Sequence, residues 1–252
     1  RGEATECEAI RKGEMKPTEP VLAQEVTVND KGQCLCSDGT VQPDAETFAE
    51  ELITLNRFAR RLREQRFKEG AINFDREEVR FEIDKDGKPF SVYFKRAKDA
   101  NKLVEEFMLL ANRTVAESIG KVKKGEKAKV LPYRIHDLPD PTKLDNLAVM
   151  ASRLGHVLIT QGSKIEVAKS LNRLLHDVKG ERWENLVENV SLRAMQKARY
   201  STFNIGHYGL AFDYYTHFTS PIRRYPDLMV HRLLTLYEDN PEKSVSQKYY
   251  ED

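Results

Sequence analysis

Cysteine is scarce: Cys7, Cys34 and Cys36 are the only three in 252 residues. Three thiols cannot build a disulfide framework, and this usage suits a reducing cytoplasm. Long apolar runs are missing too. No stretch approaches the roughly 20 apolar residues that a bilayer-spanning helix needs, which excludes such a span, and no membrane partner is expected. The opening Arg1-Gly2-Glu3-Ala4 has no signal-peptide pattern. Net charge is nearly absent, since 41 Lys+Arg face 40 Asp+Glu and leave +1. A globally basic polyanion binder is therefore excluded, and any such site must be a local patch. What remains is globular: 40% hydrophobic and 32% charged residues, with length enough for one large domain or two small ones. The start carries neither an initiator Met nor a helix or strand signal, so the chain reads as a piece of something longer.

Residues 1–43 form a poorly patterned lead-in, weakly ordered or hairpin-forming, with Pro17, Pro20, Pro43 and two turn-like stretches. Order begins at Asp44. Phe48, Leu52, Leu55, Phe58 and Leu62 recur at steps of three and four, which predicts an amphipathic helix ending at Gly70. Val79, Phe81 and Ile83, then Phe90, Val92 and Phe94, alternate with polar residues around Asp84-Lys85-Asp86-Gly87-Lys88, a β-hairpin pattern. A helix from Lys98 to Ile119 carries Leu103, Phe107, Leu110, Ala111 and Val115 on one stripe, with Gly120 as its stop. A short strand over Val130–Ile135 and helices near 142–154, 163–178, 181–198 and 221–238 follow, broken by Gly155, Gly180 and Gly206. The class is α+β with helix dominant.

Charge is locally uneven. Arg57, Arg60, Arg61, Arg63, Arg66 and Lys68 face one acid, Glu64, in the same stretch. This is either a solvated helix face or a face that tracks phosphates. Lys121, Lys123, Lys124, Lys127 and Lys129 follow a helix C-terminus, where cations suit the dipole. Cys34-x-Cys36 falls short of the four ligands of a zinc site, and the nearest histidine in sequence is His136, so these cysteines read as structural or incidental. His136-Asp137 with Asp140 reads as a capped turn beside two prolines rather than a metal loop.

Arg223 and Arg224 are more informative. Ser220 as N-cap and Pro221 as first residue predict a helix whose first turn holds both arginines. Two cations at that positive end call for an anion, either Asp227 or a bound phosphate. Glu105 and Glu106 are adjacent in a helix and diverge by about 100°, so at most one shares its apolar face. Pattern alone makes Glu105 exposed surface and Phe74 a core residue.

Five segments together carry a resemblance. Gly70-Ala-Ile-Asn-Phe-Asp75, Ala100-Asn-Lys-Leu-Val-Glu-Glu-Phe-Met-Leu-Leu-Ala-Asn112, Tyr133-Arg-Ile-His-Asp-Leu-Pro-Asp-Pro141, Asn204-Ile-Gly-His-Tyr-Gly-Leu210 and Thr219-Ser-Pro-Ile-Arg-Arg-Tyr-Pro-Asp-Leu-Met-Val-His-Arg232 resemble the catalytic (RNB) domain of the ribonuclease II/ribonuclease R family. They stand in the family's order, cover residues 57–238, and are most similar to the bacterial ribonuclease R branch. The resemblance implies that residues 44–252 are the C-terminal portion of such a domain. The parent would be a monomeric, cytoplasmic 3′→5′ exoribonuclease that hydrolyses single-stranded RNA to nucleoside 5′-monophosphates with Mg²⁺.

Residue by residue, Arg223 resembles the arginine on the scissile phosphate. Phe74 resembles the aromatic that stacks on the end of the base column, and Glu105 the carboxylate near the 3′-terminal ribose. Arg60, Arg61, Arg63, Arg224 and Tyr225 complete the expected RNA contacts. The family's aspartate cluster, which holds Mg²⁺, lies upstream of every segment here, so no metal ligand is expected in this chain and the fragment alone is expected to be inactive. Two other classes stay open: a catalytically dead RNA-binding relative, and a structural α+β interaction domain.

Overall fold

The computed structural model describes residues 48–74, 78–95, 97–122 and 128–251. The lead-in over residues 1–43 with its three cysteines, the expected helix start at Asp44, and Lys123, Lys124 and Lys127 lie outside the described residues. The fold is helix-rich α+β. Its elements are α1 (Ala49–Lys68), β1 (Glu78–Ile83), β2 (Pro89–Lys95), α2 (Asp99–Gly120), β3 (Tyr133–Ile135), α3 (Pro141–Arg153), α4 (Lys164–Asp177), α5 (Glu184–Ala194), β4 (Arg199–Ser201), a 3₁₀ turn (Tyr208–Leu210), α6 (Tyr225–Asp239) and α7 (Gln247–Glu251). No helix among the described residues is long and apolar enough to cross a membrane.

The described chain divides into two compact units. One holds residues 48–62 and 78–106 and the other holds residues 63–74 and 107–251. In the first, β1 and β2 form the expected antiparallel hairpin, with Val79 opposite Phe94 and Phe81 opposite Val92. Directly opposed residues share a face, and this face meets solvent: Phe81 is 60% exposed and Phe94 63%. The apolar stripe expected on α1 is also largely outward. Phe48, Leu55 and Phe58 are exposed, while Asn56 and Ala59 are buried. A two-stranded ribbon offers too little surface to bury such a stripe.

The second unit has two main clusters. Leu147, Val167, Leu171, Leu174 and Val187 join α3, α4 and α5, with Ile72 beside them. α4 is closed by a capping box in which Ser163 and Glu166 exchange side-chain-to-backbone hydrogen bonds. Ala116, Ile119, Ile135, Val230 and Leu233 join α2, β3 and α6. The buried positions of α2 are Glu106, Leu109, Asn112, Ala116, Ile119 and Gly120, whereas Leu110, on the expected stripe, is exposed. The buried face is offset from the expected stripe and carries two polar residues, Glu106 and Asn112, the latter accepting from the Phe218 and Thr219 amides. Gly120 is required sterically, since a Cβ there would collide with the Tyr133 hydroxyl and the Tyr214 ring.

Two further boundaries differ from expectation. The helix expected over 181–198 is α5, shorter at both ends, because the chain leaves Ala194 in an extended Met195 to form β4 against β3. The last long helix begins at Tyr225, not Pro221. Ser220 O accepts from both Arg223 N and Arg224 N, closing a turn, and Arg224 then extends at φ −132°, ψ 116°. The proline inside the first helical turn is therefore Pro226, at a position where no N–H is needed.

Candidate nucleic-acid interface

The arginine pair sits on the 220–224 turn that precedes α6, and its two members are placed differently. Arg224 gives a 2.8 Å hydrogen bond and ion pair to Asp227 Oδ1, and Asp227 is 0% exposed. The Arg–Asp pairing considered for this helix start is thus formed at Arg224. Arg223 is exposed. Its guanidinium donates to Ser220 Oγ at 3.3 Å and makes no ion pair with a described residue. Ile222 is fully exposed and Tyr225 is 64% exposed on the same segment.

The strand-like chain before this turn is held from below. Arg134 N donates to Tyr215 O at 2.9 Å, and buried Thr216 donates its hydroxyl to Pro132 O at 2.6 Å. The Tyr200 hydroxyl meets His217 Nδ1 at 2.6 Å. Burial, and next the Arg224 charge, push His217 down to about 4, so the ring is neutral near pH 7. The His231 ring stacks on Phe218 with centroids 4.1 Å apart.

A second polar cluster surrounds the 204–213 loop. His136 Nδ1 accepts from Gly209 N at 3.0 Å while its Nε2 donates to Gln196 O at 2.8 Å, which selects the neutral Nε2–H tautomer. Burial, followed by the neighbouring His136, pushes His207 down to about 3. The loop can close so tightly because Gly206 adopts φ +80°, where a Cβ would stand 2.9 Å from Phe212 O. His136, His207, Arg113, Asp137, Lys164 and Asp213 face a cavity of about 550 Å³. Expected only as a capped turn, His136-Asp137 does lead into α3, whose N-cap Asp140 accepts from Lys143 N at 3.1 Å.

The other expected site residues lie as follows. Phe74 is half-buried and packs against the α3–α5 cluster. Glu105 is exposed and its neighbour Glu106 is buried. Arg60 pairs with Asp99. Arg61 is exposed. Arg63 donates to Asn73 Oδ1 at 3.3 Å and lies 4.9 Å over the Phe67 ring. Asp227 was weighed as the partner of the arginine pair and takes that place at Arg224; Asn112 and the His207–His217 cluster were not singled out by sequence reasoning, and for Asn112 the signal was one polar residue among apolar ones in the helix. Among the described residues, no group of three or more His, Cys, Asp or Glu side chains is arranged to hold a metal ion.

The arrangement is a helix-rich α+β fold that presents Arg223, without an ion-pair partner among the described residues, on a tightly hydrogen-bonded turn. Residues 20–240 match the RNB domain, and the chain belongs to that family. It is 35% identical over 209 residues to ribonuclease R of Aquifex aeolicus, covering 83% of this chain and 29% of that protein. It is 40% identical over 201 residues to ribonuclease R of Thermotoga maritima, covering 79% of this chain and 27% of that one. The chain thus spans less than a third of these relatives' length. Among solved structures, Mycoplasma genitalium RNase R in complex with ribose-methylated single-stranded RNA superposes with a TM-score of 0.69 at 27% identity, covering 84% of this chain and 32% of that one.

Proposed function

We propose that residues 44–252 form the C-terminal portion of the catalytic domain of a 3′→5′ exoribonuclease, which hydrolyses single-stranded RNA to nucleoside 5′-monophosphates in the cytoplasm. The observation that carries this reading is the unequal arginine pair within an RNB chain. Asp227 neutralises Arg224, and Arg223 is left exposed with its fork available to a phosphate. Arg223 is assigned to the scissile phosphate, where it would stabilise charge that develops during hydrolysis. Exposed Glu105 is assigned to the terminal ribose hydroxyl, and Phe74 to a base face. Arg60, Arg61, Arg63, Arg224 and Tyr225 are assigned to backbone and base contacts along a single strand.

A divalent metal would supply a deprotonated water and neutralise phosphoryl charge. The described residues hold no group of three or more His, Cys, Asp or Glu side chains to bind it. The test is digestion of 3′- and 5′-labelled single-stranded RNA with Mg²⁺, using both the intact parent protein and this chain alone. The parent is expected to shorten RNA from the 3′ end to mononucleotides, and this chain alone to bind RNA without cutting it. A parent that binds but never cuts is the catalytically dead relative, and a chain and parent that ignore RNA are an interaction domain.

A further inference from the structure

The 218–220 segment that leads to Arg223 offers three consecutive backbone N–H groups, and two buried side chains take all three. Asn112 Oδ1 accepts from Phe218 N at 2.9 Å and from Thr219 N at 3.2 Å. Asp227 Oδ1 accepts from Ser220 N at 2.8 Å. Neither side chain is free to move: Asn112 is 3% exposed and ties its amide to the Tyr215 hydroxyl at 3.2 Å, and Asp227 is fully buried. Ser220 in turn receives the N–H groups of Arg223 and Arg224 and supports the Arg223 guanidinium through its hydroxyl.

The Arg224–Asp227 pair bonds through one carboxylate oxygen only. A buried Arg–Asp pair is best satisfied as a two-pronged fork. Here Arg224 uses one prong, Asp227 Oδ1 is shared between that prong and the Ser220 amide, and Asp227 Oδ2, Arg224 Nε and the Thr219 hydroxyl are buried with no hydrogen-bond partner among the described residues. Buried polar atoms left unpaired carry a cost that calls for an explanation. The carboxylate is aimed at the loop backbone at the expense of its own pairing.

We propose that Asn112 and Asp227 are positioning residues for Arg223: from α2 and α6 they grip the 218–220 backbone and fix the turn from which the Arg223 fork projects. The inference rests on the role assigned to Arg223 above. Neither residue touches RNA. Misplacing a reacting group by about 1 Å costs on the order of 10²-fold in rate, so the two act on turnover through geometry.

The test is a double-mutant cycle in the intact parent enzyme, reading single-turnover rate and RNA affinity separately. Asp227→Asn keeps the shape and an acceptor oxygen but loses the charge that holds Arg224. It is expected to slow turnover about 10²-fold with RNA affinity changed less than about threefold. In an Arg223→Ala background the same substitution should cost nothing further, because its target is already gone. Asn112→Ala, which removes the accepting oxygen without adding bulk, should behave in the same way and decides the matter if Asp227→Asn does not fold. Losses that multiply in the double variant would overturn the positioning role while leaving Arg223's role intact. An Arg223→Ala enzyme of undiminished rate would instead sink the function assigned to that arginine, and the positioning role with it.

Discussion

At the scale of single residues, two adjacent arginines of the same chemistry meet opposite circumstances, one neutralised in the interior and one facing water. If Arg223 acts where charge develops, its contribution is realised in the transition state and not in substrate binding. Arg223→Ala in the intact parent should cut the hydrolysis rate about 10²–10³-fold and change RNA affinity far less, since other cations hold the backbone. Arg223→Lys should recover part of the rate, because a point charge cannot reproduce the fork. Equal losses in rate and affinity would assign Arg223 to ordinary backbone binding. The need for an anion at this position could be read from the sequence, because two cations next to a helix start are unfavourable. Which arginine Asp227 would take could not, since that depends on where the helix begins.

At the scale of elements, the tight 204–213 loop and the chain that follows it to the arginine turn each carry a neutral imidazole, His207 and His217. His207 and His217 titrate near 3 and 4 in the fold, against 6.5 when free. Above pH 6.5 both are neutral in folded and unfolded chains alike. Below it the unfolded chain takes up protons that the fold refuses, so stability falls with pH at roughly 1 kcal/mol per pH unit for each ring. The depressed carboxylates Glu166 and Glu251 begin to matter only below their ordinary 4.5. The melting temperature should therefore drop between pH 6.5 and 4.5, and His207→Asn should shrink that drop. A flat melting temperature across this window would show that the rings protonate without cost. The long helices and the hairpin were legible because periodic apolar residues mark them. β3 lies within the short apolar strand expected over Val130–Ile135, whereas β4 pairs with it through backbone contacts set by tertiary packing, and no local signal announces β4. α6 was misplaced by one turn because Pro221 and Pro226 are both credible helix starters, and only the Ser220 hydrogen bonds choose between them.

At the scale of the whole molecule, charge balances to +1 while Arg57, Arg60, Arg61 and Arg63 gather along one helix. Single-stranded RNA bound through that helix should lose affinity with salt at a log–log slope of about −0.7 per phosphate neutralised. Replacing Arg60, Arg61 and Arg63 by Gln should flatten the slope, whereas an unchanged slope would make the helix bland surface. Composition could locate this patch, because charge needs no folding to be counted. It could not foresee the division into two units, since that is decided by which apolar faces find partners. The outward face of the β1–β2 ribbon has a consequence for handling the protein. Salting-out agents such as sulfate sharpen the aversion of water for exposed phenylalanine. The ammonium sulfate that concentrates most globular chains would here favour clumping through Phe81 and Phe94, so mild chaotropes and dilute storage suit it better.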